Sequence, residues 1–322
     1  MVELIDFDEV NVVRGVFYGG NAGAKESVSF NNGVWMLKYP KTTRDLVNPQ
    51  VSYTTSPISE YIGSKIYEIL GIPVHETLLG VRKNKIVVAC RDFQFDIGNI
   101  PRDDMGSFIK VDKLFFSFHD LKNNFMSSDI EEYSGTGSET LLDEVLATIK
   151  GQEELKLVNG TLERFWDMFV VDAFIGNNDR NNGNWGLTLD LANGYALAPV
   201  YDNGNAFFNK RGLTQMENRL NDESAMREDA YKTVTCVYKY KGLDNEGHKI
   251  NPFEFIKRGE NNECNAAVTR FVNAIDMGKI SSMINKIPEV KGVLSVMPKI
   301  QKDFYIELLK LRFQFIKGEV VE

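Results

Sequence analysis

A helix that is apolar on almost every side and runs into a cluster of amides constrains this chain more than any other feature. In "LERFWDMFVVDAFIG", Leu162, Phe165, Trp166, Phe169, Val170 and Phe174 recur at helical spacing. A helix of that kind has to be buried. It leads directly into "NNDRNNGNWG", so that Phe174 to Gly186 holds five Asn, one Asp and one Arg between a core element and a strand-like segment. A polar tip carried by a rigid, buried element is a place where chemistry tends to be done.

The whole chain has 322 residues, 43% of them apolar and 25% charged, which is enough for a large core in one two-lobed domain or in two domains. Cys90, Cys236 and Cys264 form no CxxC pair, and His75, His119 and His248 lie far apart, so neither a zinc site nor a disulfide framework is indicated. A reducing, cytoplasmic home is the expectation. The N-terminal "MVELIDFDEVNVV" has no basic region, and no apolar run approaches the roughly 18 residues of a membrane span, so no membrane insertion is expected. A net charge of −8 and a pI near 5.2 argue against a broadly basic surface, hence against nucleic acid as a partner.

Two differently built parts follow from a coarse pass along the chain. Residues 10–40 read as strands broken by a Gly-rich turn: "NVVRGVFYGG", "ESVSF" and "NNGVWMLKYP", with a hairpin at Asn32-Gly33. A punctuated helix comes next, with Ser56 as N-cap, Pro57 at its first position, a stripe of Ile58, Ile62, Ile66 and Ile69, and Gly71 closing it. "HETLLGVRKNKIVVACRDF" reads as two strands around a Lys-Asn turn. Beyond about residue 105 helices dominate, at Glu139 to Ile149, Thr161 to Gly176, Ala266 to Ile275, Lys279 to Lys286 and Lys299 to Ile316, with one hairpin turned at Asn193-Gly194. The expected class is α+β and two-lobed. Residues 1–94 form a small β-rich lobe with one main helix, and residues 95–322 a larger helical lobe.

On that layout the amide-rich loop acquires a chemical meaning. Asp179 can set a carboxylate beside a substrate hydroxyl, while Asn184 and Asp202 offer hard oxygens to a divalent cation such as magnesium, whose remaining positions go to water and phosphate. Phosphoryl transfer asks for these parts together with a Lys on the nucleotide phosphates and a Gly-rich turn above them. Lys38, at the end of "GVWMLK", and the turn that includes Gly20, Asn21, Ala22, Gly23, Ala24 and Lys25 fill those places. Taken singly, each has a plainer reading: glycines that turn a hairpin, a solvated strand-end Lys, an Asx-turn cluster beyond a helix. The turn is no Walker A loop, because Gly23-Ala24-Lys25-Glu26 lacks the adjacent Gly-Lys-Ser/Thr.

Together, "GGNAGAKES", "WMLK", "SPISEYIGSKIYEILGI", "VVACRDF", "IGNNDRNNGNWG" and "YDNG" closely resemble the HipA-like serine/threonine kinases, in particular their short bacterial, cell-translocating type, over Val16 to Phe208. The resemblance implies a two-lobed protein-kinase-like fold, with ATP bound by the first lobe. It also implies Asp179 as catalytic base, Asn184 and Asp202 as magnesium ligands, and Lys38 on the ATP phosphates. The segment Val88 to Phe93, with Cys90 and Phe93, is implied as the hinge against adenine. For the carboxylate that orients Lys38, the Ser56–Gly71 helix offers Glu60 and Glu68; Glu60, near the helix start and inside "SPISEY", is the choice, and Glu68, near the helix end, is expected to be solvated. The implied acceptor is a Ser or Thr of a protein, the chain itself included, and the cell-translocating type brings with it an unconventional export.

Two departures bear on function. The chain begins almost at the Gly-rich lobe, which argues against the antitoxin partner of longer HipA proteins. Asp179-Arg180-Asn181 is closer to the Asp-Arg-His of phosphoinositide kinases than to the Asp-Gly-His common in HipA proteins, so an inositol lipid or other small alcohol stays open as acceptor. A third reading, a non-catalytic interaction module, is disfavoured because no acidic or amide position of the triad is lost.

Overall fold

The structure is a computed structural model and describes residues 1–18, 24–99, 111–128 (backbone alone at 126–128), 140–241 and 247–319. The chain forms two compact units. The first comprises Met1–Asp112, Asn203–Glu223 and Asp276–Glu307; the second comprises Lys113–Asp202, Ser224–Ile275 and Leu308–Glu322.

The first unit is built on a sheet of β1 (Ile5–Asp6), β2 (Lys25–Phe30), β3 (Gly33–Lys38), β4 (Thr77–Arg82) and β5 (Lys85–Arg91), in the order β1-β4-β5-β3-β2. Two tight hairpins set its register. Asn31 and Asn32 turn β2 into β3, and Lys83 and Asn84 turn β4 into β5, all four with φ between 47° and 55°. Positive φ at both central residues is the turn geometry that suits the twist of paired strands, and Asn tolerates it. The pairing of Phe30 with Gly33 puts the first turn at Asn31-Asn32, one residue before the position expected from Asn32-Gly33. The expected strand "NVVRGVFYGG" is reduced, within residues 11–18, to an isolated bridge of Val12 with Val28.

Because directly opposed residues share a face, the register sorts the side chains. Val28, Trp35, Leu37, Val87 and Ala89 close a core with Phe7 and Tyr39 on one side. Met36, Lys38, Val88, Cys90 and Thr77 point to the other. Helix α1 (Ser56–Ile69) packs there on β4 and β5, with Ile58, Ile62 and Ile66 buried. Its N-cap is Thr55, one residue before the expected Ser56, since Thr55 N–H and hydroxyl are both engaged by the Asn209 carbonyl. Gly71, at φ 72°, closes the helix: Gly71 N–H bonds Glu68 O and Ile72 N–H bonds Tyr67 O, a Schellman pair.

The second unit opens with β6 (Lys113–Ser117), which pairs with the expected hairpin of β7 (Gly186–Asp190) and β8 (Gly194–Leu197). The third strand is absent from the sequence reading because "KLFFS" is short and has no alternation. Helices α2 (Phe118–Ser128), α3 (Leu142–Gly151), α4 (Glu153–Lys156) and α5 (Thr161–Ile175) follow β6. α5 is the apolar helix "TLERFWDMFVVDAFI", and eleven of its residues are buried. Later in the chain come α6 (Leu213–Leu220), α7 (Glu223–Arg227), a π turn at Glu228–Lys232, β9 (Lys239–Lys241), β10 (Gly247–Lys249), α8 (Pro252–Arg258) and α9 (Asn262–Ala274). α10 (Met277–Lys286), β11 (Val290–Lys291), β12 (Leu294–Ser295) and α11 (Lys299–Ile316) complete the chain, and of these later elements α6, α10, β11, β12 and α11 as far as Glu307 belong to the first unit. Trp166 stacks on Phe255 of α8 and Phe174 meets Phe271 of α9, so aromatic contacts seat α5 in the core of its unit. Gly176, at φ 73°, ends α5 and releases the chain into the amide-rich loop.

Candidate active site

In the first unit the polar centre is Glu60, which is 1% exposed. Lys38 Nζ donates to its Oε2 at 2.8 Å. Asn203 N–H donates to Oε1 at 2.9 Å, and His75 Nε2 lies 3.0 Å from the same oxygen. A carboxylate oxygen at that distance requires the proton on Nε2. Ser64 Oγ accepts from Asn203 Nδ2 at 3.0 Å and stands 3.2 Å from His75 Nε2. Burial pushes the Glu60 carboxyl up, but the Lys38 charge and the His75 hydrogen bond more than reverse this and hold it well below the usual carboxylate range. Cys90 Sγ, His75 and Glu60 offer ligand atoms within 4.8 Å of one another. Lys38 already supplies the positive charge there, so the trio is the wall of an ion pair.

Around that pair, Lys25 opens β2 opposite Lys38, and Ala24 O accepts from Tyr39 N–H. Gly20, Asn21, Ala22 and Gly23 lie outside the described residues. Val88 to Arg91 are paired inside β5, with Cys90 buried, and half-buried Phe93 sits in the turn beyond. Tyr18 OH donates to Asp92 Oδ2 at 2.7 Å, tying the residue before the Gly-rich stretch to the start of that turn. Glu68 is exposed and pairs with Lys65, as expected for the carboxylate not chosen.

In the second unit the loop beyond α5 is held by its own amides. Asn177 Oδ1 accepts from Asp179 N–H at 3.2 Å, and Asn181 Nδ2 donates to Asp179 Oδ1 at 3.0 Å. Asn184 Nδ2 donates to Asp179 O at 2.7 Å, which assigns the orientation of its amide and leaves Oδ1 to serve a cation. Asp179 is exposed and Asn184 and Asp202 are half-buried. Asp202 has φ 59°, unusual for a residue other than glycine and a mark of a constrained position. Asn184 and Asp202 together offer the hard oxygens that suit magnesium.

Sequence reasoning passed over His75, Ser64 and Asn203, whose part is set by folding and leaves no trace in spacing. It also assigned no contact to the Arg180 side chain, which is 2% exposed and turned inward onto Asp172. One signal was legible: Asp172 is a lone acid on the apolar face of a buried helix, and such a group needs a buried cation.

No protein-family model matches the chain. It is 33% identical over 312 residues to the serine/threonine-protein kinase CtkA of Helicobacter pylori (strain J99), covering 95% of this chain and 83% of that protein. The crystal structure of a Helicobacter pylori proinflammatory kinase CtkA superposes with a TM-score of 0.77 at 28% identity, covering 99% of this chain and 96% of that one. A HipA chain from the Shewanella oneidensis MR-1 complex of HipA, HipB and operator DNA gives a TM-score of 0.48 at 13% identity, over 92% of this chain and 60% of that one. The match to the CtkA crystal structure shows the α+β, kinase-like fold that the motifs imply, and the chain belongs to the family of the serine/threonine-protein kinase CtkA.

Proposed function

We propose that this phosphotransferase moves the terminal phosphoryl group of ATP, with magnesium, to Ser or Thr hydroxyls of a protein, its own among them. The observation that carries the reading is the buried Lys38–Glu60 pair. A lysine held at 2.8 Å by a carboxylate that is itself fixed through its second oxygen is preorganised to receive phosphate oxygens. Residues 1–94 are assigned the nucleotide, with Gly20 to Lys25 over the phosphates and Cys90 and Phe93 toward adenine. Residues 95–322 are assigned the catalytic loop, the metal and the acceptor. Asp179 orients the acceptor hydroxyl and takes its proton as the oxygen–phosphorus bond forms and the bond to the ADP oxygen breaks. Asn184 and Asp202 would hold magnesium, which when bound neutralises charge on the phosphates. The lipid-acceptor alternative rests on the likeness of Asp179-Arg180-Asn181 to Asp-Arg-His, and a chain of net charge −8 offers little to an anionic membrane surface. No helix among the described residues is long and apolar enough to cross a membrane.

The test is incubation with labelled ATP and magnesium, alone, with a generic protein acceptor and with phosphoinositide vesicles, followed by mass spectrometry. Phosphoserine or phosphothreonine is expected; label confined to lipid would overturn the reading. Asp179→Asn should cut transfer on the order of 10²- to 10⁴-fold while ATP still binds. Parent-like turnover in that variant would mean that another group is the base.

A further inference from the structure

Arg180 is a buried cation whose guanidinium is used along its whole edge. Nε and Nη2 donate to the two carboxylate oxygens of Asp172 at 2.8 and 3.1 Å, a bidentate fork onto α5. Nη1 donates to the Asn184 carbonyl at 3.0 Å and also to the Tyr201 carbonyl. Asp172 is steadied in turn by Asn177 Nδ2 at 3.2 Å. The two carbonyls are not arbitrary. One belongs to Asn184 itself, and the other lies in the peptide unit that joins Tyr201 to Asp202. Holding that peptide plane limits rotation about the Asp202 N–Cα bond, the bond whose φ of 59° is out of the ordinary. One rigid, planar group therefore ties both ligand-bearing segments to a fixed point on a core helix. Lysine could not do this, since a single ammonium lacks the fork that spans a carboxylate and two carbonyls.

We propose that Arg180 is a positioning residue for the metal site, which sets the backbone of Asn184 and Asp202 so that their side-chain oxygens converge on one cation. This rests on the magnesium-ligand roles given above. Partners behind metal ligands typically account for about 10- to 100-fold in metal affinity.

ATP affinity of the full chain, measured by calorimetry over a magnesium series, tests it in Arg180→Lys, Arg180→Met and Asp172→Asn, with Asn184→Ala and Asp202→Ala as controls and melting curves on all five. The expected result is a magnesium midpoint raised about 10- to 100-fold in both Arg180 variants, with metal-free ATP affinity near that of the parent. Arg180→Lys, which keeps the charge beside Asp172, should remain folded and still show the shift. A parent-like midpoint in folded Arg180→Lys overturns the proposal, as does an equal loss with and without magnesium. Should all three variants lose their fold, Arg180 supports the unit at large and the proposal also falls. If the two controls leave magnesium dependence untouched, the ligand assignment itself has failed, and this inference goes with it.

Discussion

Glu60 shows how much a single buried carboxylate can organise. Its two oxygens serve different neighbours, Lys38 on one and Asn203 with His75 on the other, so removing its charge disturbs both at once. Glu60→Gln should lower phosphoryl transfer nearly as far as Lys38→Met, and the double variant should be scarcely worse than either, because groups that act as a unit are non-additive. Strictly additive losses would mean that Lys38 is oriented by something else. The same carboxylate makes a pH statement. Its folded pKa lies below the ordinary 4.5, so its charge stabilises the folded chain above about pH 4.5, and that contribution is lost as the pH falls further. The gap in unfolding free energy between the parent and Glu60→Gln should be level near neutrality and narrow on acidification, as read from urea midpoints at a series of pH values. A gap that widened toward acid would contradict the assignment.

Among the elements, two glycines separate two kinds of constraint. Gly71 closes α1 at φ 72° with no atom within 4 Å of where a Cβ would stand. Alanine there meets only backbone strain, roughly 1–2 kcal/mol. Gly186 opens β7, and a Cβ would fall 2.0 Å from Phe116 O and 2.9 Å from Ser117 Cα. Neither atom can yield without parting β6 from β7, so Gly186→Ala should cost more than the roughly 1–3 kcal/mol of ordinary overpacking. Denaturant titrations of both variants check this, and equal losses would contradict it. Gly71 was legible, because a glycine after an apolar stripe and before Pro73 is a local signal. Gly186 was not, since its constraint comes from a strand about seventy residues earlier in the chain.

For the molecule as a whole, the cysteines are a probe of folding. All three are reduced and buried, and burial pushes the thiols of Cys236 and Cys264 up to about 12. A thiolate-seeking alkylating agent at mildly alkaline pH should therefore leave both unlabelled in the native protein and label all three cysteines in denaturant, as counted by intact mass. A reductant should leave the melting temperature unchanged. Rapid native labelling of Cys236 or Cys264 would show that the cores holding them open far more readily than their packing implies.

What the sequence determined by itself is what short-range physics controls. Helical period and end signals placed α1, α5 and α11, paired turn residues placed the hairpins, and the order Lys38, Asp179, Asn184, Asp202 indicated the chemistry. Two local signals were misplaced by one residue, and "NVVRGVFYGG" was misassigned, since an apolar run beside glycines says nothing about whether a partner edge is available. The tertiary structure alone decided how the buried charges are matched. Glu60 meets Asn203 across 143 residues of chain, and Arg180 turns inward onto Asp172. The reason is desolvation: an ion taken out of water must find its partner wherever folding has put one, and no spacing along the chain records where that is.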